Sequence, residues 1–268
     1  MQPLISVIPS DERMVHLANY LQEKGAKMCD NLSAIADSGL VLCATPFTKD
    51  GVHLNTTLDP APTIANFLDR LTPSHTLIGG GLPSSVTFFC VQHGIPHYDL
   101  LSCENLALQN ARLTAEGLLI SLLSHTNNSI CKMVPLIVGY GRCGKEIADI
   151  LNYFIEEIYI YDINENAQKE ADTRYFSPLS VKEIQNKHSC VSHINTIINT
   201  APTNPFSPQT WQCFEPDCLV FQVASGELSL PFPLQNRCIV CHGIPGSYAP
   251  KTAGICMAKE ICRHFRFS

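Results

Sequence analysis

The sequence predicts an α/β protein of two domains, each a parallel sheet covered by helices. Three observations predict it. Short runs rich in Val, Ile and Leu alternate with amphipathic helical stretches in both halves, the pattern of βαβ units. No two-residue hairpin signal separates successive runs, so sheet neighbours run parallel. A glycine-rich turn, "GYGRCG", sits between an apolar run and a helix where the second half begins. A chain of 268 residues holds one large domain or two of ordinary size.

The first half opens with a strand at "LISVI" (Leu4–Ile8) and a helix after Asp11. Met14, Leu17, Ala18 and Leu21 recur at i, i+3, i+4 and i+7 and make one apolar stripe. An apolar run (Gly39–Phe47), a loop "TKDGVHLN", a helix over "TIANFLDRL" and a strand at "HTLIGG" follow. A helix over "SSVTFFCVQH" and a short strand "IPHYDL" end the series. A long helix, roughly Glu104 to Thr126, leads into the second half.

There "PLIV" is a strand, and the helix after the glycine turn buries Ile147, Ile150, Leu151 and Phe154. A strand at "IEEIYIYD" and helices at "NENAQKEA" and "PLSVKEIQ" come next. Strands "HINTIINT", "CLVFQVAS" and "RCIVCHG" precede the final helix, "KTAGICMAKEICRHF". The chain carries no tandem repeat or low-complexity tract.

Composition narrows the function classes. Hydrophobic residues are 45% and charged residues 16%, as in a well-packed globular protein. A net charge of −6 argues against general nucleic-acid affinity, so an anionic ligand needs local cations. The opening "MQPLISVIPSDERM" lacks the pattern of a secretory signal, and "LTAEGLLISLLS" is too short to span a bilayer. A cytosolic location without membrane contact is expected.

Thirteen cysteines are many for such a chain. Most sit in apolar runs, as Cys43 and Cys90 do, and read as small buried hydrophobes. "CIVCH" (Cys238–His242) matches a haem-attachment pattern, but that chemistry needs export. A zinc site from Cys213, Cys218, Cys238 and Cys241 is conceivable by count. Residues three apart on a strand face opposite ways, however, so no metal is expected.

"GYGRCG" places Gly139, Gly141 and Gly144 as G-x-G-x-x-G, with Arg142 and Cys143 inside the turn. Gly139 permits the tight turn, Gly141 lets backbone approach a pyrophosphate, and Gly144 lets the helix pack on the strand. Asp162 ends the next strand 18 residues beyond Gly144, close to the ~20 of dinucleotide sites. Its carboxylate suits ribose hydroxyls and repels a 2′-phosphate, which points to NAD rather than NADP. Thr200, Ala201 and Pro202, with Ala224 and Ser225, end two later strands on the same sheet edge and are expected to line the cofactor.

Near the end stands "HGIPGSYAPKTAG" (His242–Gly254), with a rigid bend at Gly243, Pro245 and Gly246. Pro250 suits a first helical position. Lys251 and Thr252 then fall in the first turn, where a lysine opposes the helix dipole unless an anion joins it.

The whole chain resembles the dipicolinate synthase A-subunit family. The resemblance rests on "GIPGSYAPKTAG" (Gly243–Gly254), on "TAEG" (Thr114–Gly117) preceded by Asn110, and on "GYGRCG", "INTAP", "VAS" and "CATPFTKDG" in order. It implies two Rossmann-like domains, as in the 2-hydroxyacid and alanine dehydrogenases. One is a flavodoxin-like substrate domain (1–112, completed by a C-terminal helix, 249–268). The other is a doubly wound NAD(P)-binding domain (113–248). It further implies oxidation of a dihydro- or hydroxytetrahydro-dipicolinate to pyridine-2,6-dicarboxylate during sporulation, in the mother cell. The implied partner is the flavoprotein-like B-subunit of dipicolinate synthase. Two departures stand out: Asp162-Ile163 replaces an Ala-Arg pair suited to NADP, and "ASGELSLP" replaces a Pro-Gly-Gly segment.

A dianionic substrate needs donors for two carboxylates and a group to take a proton. Lys251, Thr252 and the helix N–H groups are candidates for one carboxylate. Arg112, with Thr114, is the candidate for the other. Glu116 would orient a cation or act as base, or Thr114 and Glu116 would simply cap an early helical turn. His242 stands where 2-hydroxyacid dehydrogenases carry their acid–base histidine, and its titration range suits proton transfer. Two alternatives stay open: a 2-hydroxyacid or amino-acid dehydrogenase of related fold, and a non-catalytic NAD-binding scaffold or sensor. A homo-oligomer is compatible with either.

Overall fold

The computed structural model describes residues 4–29 and 32–265. The chain divides into two compact units, Met1–Asn110 with Pro245–Ser268, and Ala111–Ile244. Residues 1–3 and the last three of the segment 249–268 lie outside the described residues.

The first unit carries β1 (Leu4–Val7), α1 (Glu12–Glu23), β2 (Lys27–Cys29), β3 (Leu40–Leu42), α2 (Ile64–Leu68), β4 (Thr76–Gly79), α3 (Ser84–Gln92) and β5 (His97–Asp99). Its five strands are all parallel in the order β2-β1-β3-β4-β5, the flavodoxin-like winding. Asp11 caps α1 by accepting from Arg13 N–H at 2.9 Å. Helix α4 (Glu104–His125) runs from this unit into the next.

The second unit continues with β6 (Pro135–Val138), α5 (Arg142–Leu151), β7 (Tyr159–Tyr161), α6 (Glu165–Thr173), β8 (Ser177–Pro178), α7 (Val181–Gln185), β9 (Thr196–Asn199), α8 (Pro208–Trp211), β10 (Leu219–Gln222) and β11 (Cys238–Val240). The parallel order β11-β10-β9-β6-β7-β8 is the six-strand Rossmann winding. A short helix α9 (Ile244–Tyr248) and the terminal α10 (Pro250–Phe265) return the chain to the first unit. Among the described residues no helix is long and apolar enough to cross a membrane.

Each sheet is buried on both faces, as parallel sheets require. In the first unit, Met14, Leu17 and Leu21 of α1 pack with Met257, Ala258 and Ile261 of α10 over one face. Phe47, Phe67, Leu77 and Val86 fill the other. Gly254 explains how close the two helices come: a Cβ there would collide with the Arg13 carbonyl oxygen. In the second unit, Leu118, Ile137, Ile147 and Ile160 form one core, and Leu136, Ile197, Phe206 and Trp211 the other.

Four expectations need correction. The Gly-Pro bend at residues 243–246 is largely the helix α9, entered through Gly243 at φ +69. Phe154 is exposed rather than part of the inner face, because α5 ends at Leu151 and Ala148 takes the buried position. Arg112, Thr114 and Glu116 sit in the middle of α4, which begins at Glu104, so none is in an early turn and none caps it. Only Cys43, Cys90, Cys218 and Cys241 are buried; Cys131 is exposed and the other eight are intermediate. Several of those eight lie on helix flanks, where one side of the residue meets solvent.

Candidate functional site

The strand β6 delivers the chain into Gly139, whose φ of +90 only glycine adopts without strain. A Cβ here would also stand 2.6 Å from Thr200 Oγ1 and 3.1 Å from the Ala201 nitrogen. Gly144 is equally constrained, since a Cβ would run into the Gly139 carbonyl oxygen. Gly141 differs. It caps α5 with no side-chain hydrogen bond and an ordinary φ of −79, and no atom lies within 4 Å of where its Cβ would be. Open space therefore faces the positive end of a ten-residue helix. These residues fit a dinucleotide diphosphate.

Asp162 follows β7 and turns back onto the glycine turn. Its Oδ2 accepts from Tyr140 N–H at 2.6 Å and its Oδ1 from Asn164 N–H at 2.8 Å. A carboxylate has about four acceptor positions, so two remain for ribose hydroxyls. The cations nearby are engaged: Lys145 pairs with Glu170 at 2.7 Å, and Arg174 pairs with Asp149 and donates to Tyr140 Oη at 3.2 Å. Ile163, beside Asp162, is exposed. Cys143 in the same turn is a poor nucleophile, because burial pushes its thiol up more than Arg142 lowers it.

Thr200 donates from Oγ1 to the carbonyls of Val138 and Gly139 at 3.1 and 2.9 Å, tying the β9 exit to the turn. Ala201 is half-buried and Pro202 exposed. A Cβ on Gly226 would strike the Pro202 carbonyl oxygen, so the β9 and β10 exit loops lie against each other. Ala224 is half-buried and Ser225 exposed there. Sequence reading missed what joins these loops, the buried amides of Asn199 and Gln222. Only their position as the last residues of adjacent strands hinted at it.

The substrate candidates fall on both units. Arg112 is 73% exposed and faces Glu116 at 3.4 Å, an i,i+4 pair on α4. Thr114 is buried. His242 follows β11 and is exposed. These belong to the second unit, whereas Lys251 and Thr252 are exposed in the first turn of α10 in the first.

Sequence reading also missed Arg13. Its Nη2 donates to Asp11 Oδ2 at 2.6 Å and to the Thr45 carbonyl, and its Nε reaches Asp11 Oδ1 at 3.1 Å. Gly246 makes room for it, since a Cβ there would stand 3.0 Å from Arg13 Nε. The charged "SDER" directly after a strand was the available signal.

The fold is that of two-domain nicotinamide-dependent dehydrogenases. The chain superposes on the NAD-dependent formate dehydrogenase of Staphylococcus aureus, solved with NAD, at a TM-score of 0.57 and 14% identity, over 99% of this chain and 95% of that one. The motif resemblance holds along the whole chain: it is 22% identical to the dipicolinate synthase A-subunit of Bacillus subtilis (strain 168), over 97% of this chain and 94% of that protein. The crystal structure of the dipicolinate synthase A-subunit from Bacillus halodurans matches at a TM-score of 0.84 and 16% identity, covering 98% of each chain. No family model matches.

Proposed function

We propose that this chain is the nicotinamide-dependent subunit of a dipicolinate-forming oxidoreductase, and that it prefers NAD. The observation that carries the reading is the full-length similarity to the dipicolinate synthase A-subunit, together with a glycine turn open only at Gly141. The substrate is a dihydro- or hydroxytetrahydro-dipicolinate, in the setting of sporulation, and a second, flavoprotein-like subunit is the partner.

A nicotinamide bound there would supply the acceptor for a hydride lost from a ring carbon of the substrate. The chain supplies the rest. The α5 amide end and Gly141 hold the diphosphate, and Asp162 takes the ribose hydroxyls with the acceptor positions left free by Tyr140 and Asn164. With Lys145 and Arg174 engaged in ion pairs, neither is available to a 2′-phosphate. Lys251 and Thr252, at the start of α10, bind one substrate carboxylate. For a dihydro substrate, loss of one hydride and one proton restores the aromatic ring, and His242 is the candidate to take the proton. Glu116 is held by Arg112 and serves as the alternative base.

Titrating the protein with NAD and with NADP tests the cofactor assignment. Tighter NAD is expected, and Asp162→Ala should narrow the gap by weakening NAD. Equal affinities, or tighter NADP, would overturn the preference.

A further inference from the structure

We infer that the carboxyl ends of β1 and β3 form a second carboxylate subsite, in which Arg13, Thr45 and Ser10 take the substrate carboxylate that Lys251 does not. The inference rests on the dicarboxylate reading above. It assigns to Arg13 the role that the sequence suggested for Arg112.

Topology locates the subsite. In the order β2-β1-β3-β4-β5, the chain reverses its winding direction between β1 and β3, and open α/β sheets bind ligands at the carboxyl ends of strands flanking that point. Ser10 and Arg13 follow β1, and Thr45 follows β3.

The side chains there are those of an anion site with its donors in place. Arg13 is only 16% exposed, and Asp11 and the Thr45 carbonyl fix its guanidinium through Nε and Nη2. Among the described residues nothing accepts from Nη1. A guanidinium held on one edge and open on another is pre-organised for a carboxylate. Thr45 is more than nine-tenths buried, and its Oγ1 has no hydrogen-bond partner; the Ser10 hydroxyl is buried and unpartnered as well. Buried hydroxyls are ordinarily satisfied, so two orphans beside one arginine point to a missing acceptor. After β4 the chain runs Gly79-Gly80-Gly81, and a Cβ on Gly80 would collide with Thr45 Oγ1. The Gly80 backbone thus lies directly against this hydroxyl, and only glycine fits there. Gly246 of α9 and Gly254 of α10 both press on Arg13, so the segment that carries Lys251 rests on this arginine. Arg112, by contrast, is largely in solvent and already faces Glu116.

The test compares pyridine-2,6-dicarboxylate with pyridine-2-carboxylate, titrated by calorimetry into NADH-loaded wild type, Thr45→Val and Arg13→Gln. Thr45→Val is the clean probe, because Oγ1 makes no hydrogen bond in the protein and the shape is kept. Wild type should prefer the diacid. The preference should fall severalfold in Thr45→Val and about tenfold or more in Arg13→Gln, as expected for hydrogen bonds to a charged group. The melting temperature of Thr45→Val and the NADH affinity of both variants should stay level. A preference unchanged in both variants would overturn the subsite and leave Arg13 as a structural staple. If wild type binds NADH but neither acid, the substrate reading itself fails and the subsite falls with it.

Discussion

Asn199 and Gln222 end adjacent strands of the second sheet and share one buried hydrogen bond, Asn199 Nδ2 donating to Gln222 Oε1 at 2.7 Å. Both are buried, at 1% and 3% exposure. The remaining amide groups reach into the two exit loops. Gln222 Nε2 donates to the carbonyls of Ala224 and Gly226, each at 2.9 Å, and Asn199 Oδ1 accepts from Ala201 N–H at 3.2 Å. One amide pair thereby shapes both loops proposed to line the cofactor. Replacing either by Leu strands its partner in the core and should cost about 1–3 kcal/mol. The double Leu variant should cost clearly less than the sum of the singles, because neither side-chain amide is then left buried without the other. Denaturant unfolding of the four proteins checks this; strict additivity would mean that the pair does not act as a unit.

The glycine turn separates folding from ligand binding. Gly144→Ala places a methyl group against the Gly139 carbonyl oxygen and should destabilise strongly, by at least the roughly 1–3 kcal/mol of an overpacked site. Gly141→Ala meets nothing and has an ordinary backbone conformation. It should fold as wild type does while losing about tenfold or more in NAD affinity. Thermal melts and NAD titrations on both variants decide, and a Gly141→Ala protein with full NAD affinity contradicts the diphosphate placement.

Lys251→Met keeps most of the side-chain stem and removes the charge. If the lysine serves a substrate carboxylate, kcat/KM should fall by about tenfold to a hundredfold. Stability should stay level or rise slightly, since a cation leaves the positive end of α10. Full activity would remove Lys251 from the site.

Asp11 ties acid stability to the Arg13 cluster. Burial alone would raise its carboxyl, but hydrogen bonds and charge from Arg13, with backbone N–H groups, hold it below the usual carboxylate range. A group depressed in the folded state stabilises above its unfolded value, near pH 4, and loses that contribution as pH falls through the folded value. Asp11→Asn keeps a capping side chain and removes the titration. Its stability should fall less steeply than that of wild type as the pH drops below about 4, as urea unfolding will report. Identical slopes would show that Asp11 is not coupled to folding.

The parallel strands and the strand–turn–helix around Gly139 were legible in the sequence because each rests on local spacing, whereas the winding of each sheet came from the family resemblance. A run such as "PLIV" followed by three spaced glycines leaves few other conformations. The short edge strands β2 and β8 were not legible, since Lys27–Cys29 and Ser177–Pro178 gain their extended form from neighbours rather than from pattern. The helix α4 was legible from Glu104, yet reading Thr114 and Glu116 as an early turn of it conflicted with that start, since both lie about three turns in. Arg13 and the Asn199–Gln222 pair stayed hidden for one physical reason. Arg13 meets Thr45 and Gly246, and Asn199 meets Gln222, across long stretches of sequence and only through the sheet edges.

Turnover tests the proposed nicotinamide-dependent oxidation of a dipicolinate precursor most directly. Freshly prepared dihydrodipicolinate or 4-hydroxytetrahydrodipicolinate is mixed with the chain, with and without the proposed flavoprotein-like partner, and with NAD or NADP. Reduced nicotinamide and pyridine-2,6-dicarboxylate are followed together. Both should rise one for one, faster with NAD, and Lys251→Met should suppress them in parallel. Pyridine-2,6-dicarboxylate that forms no faster than in the absence of the chain, with either cofactor and with the partner present, would contradict it.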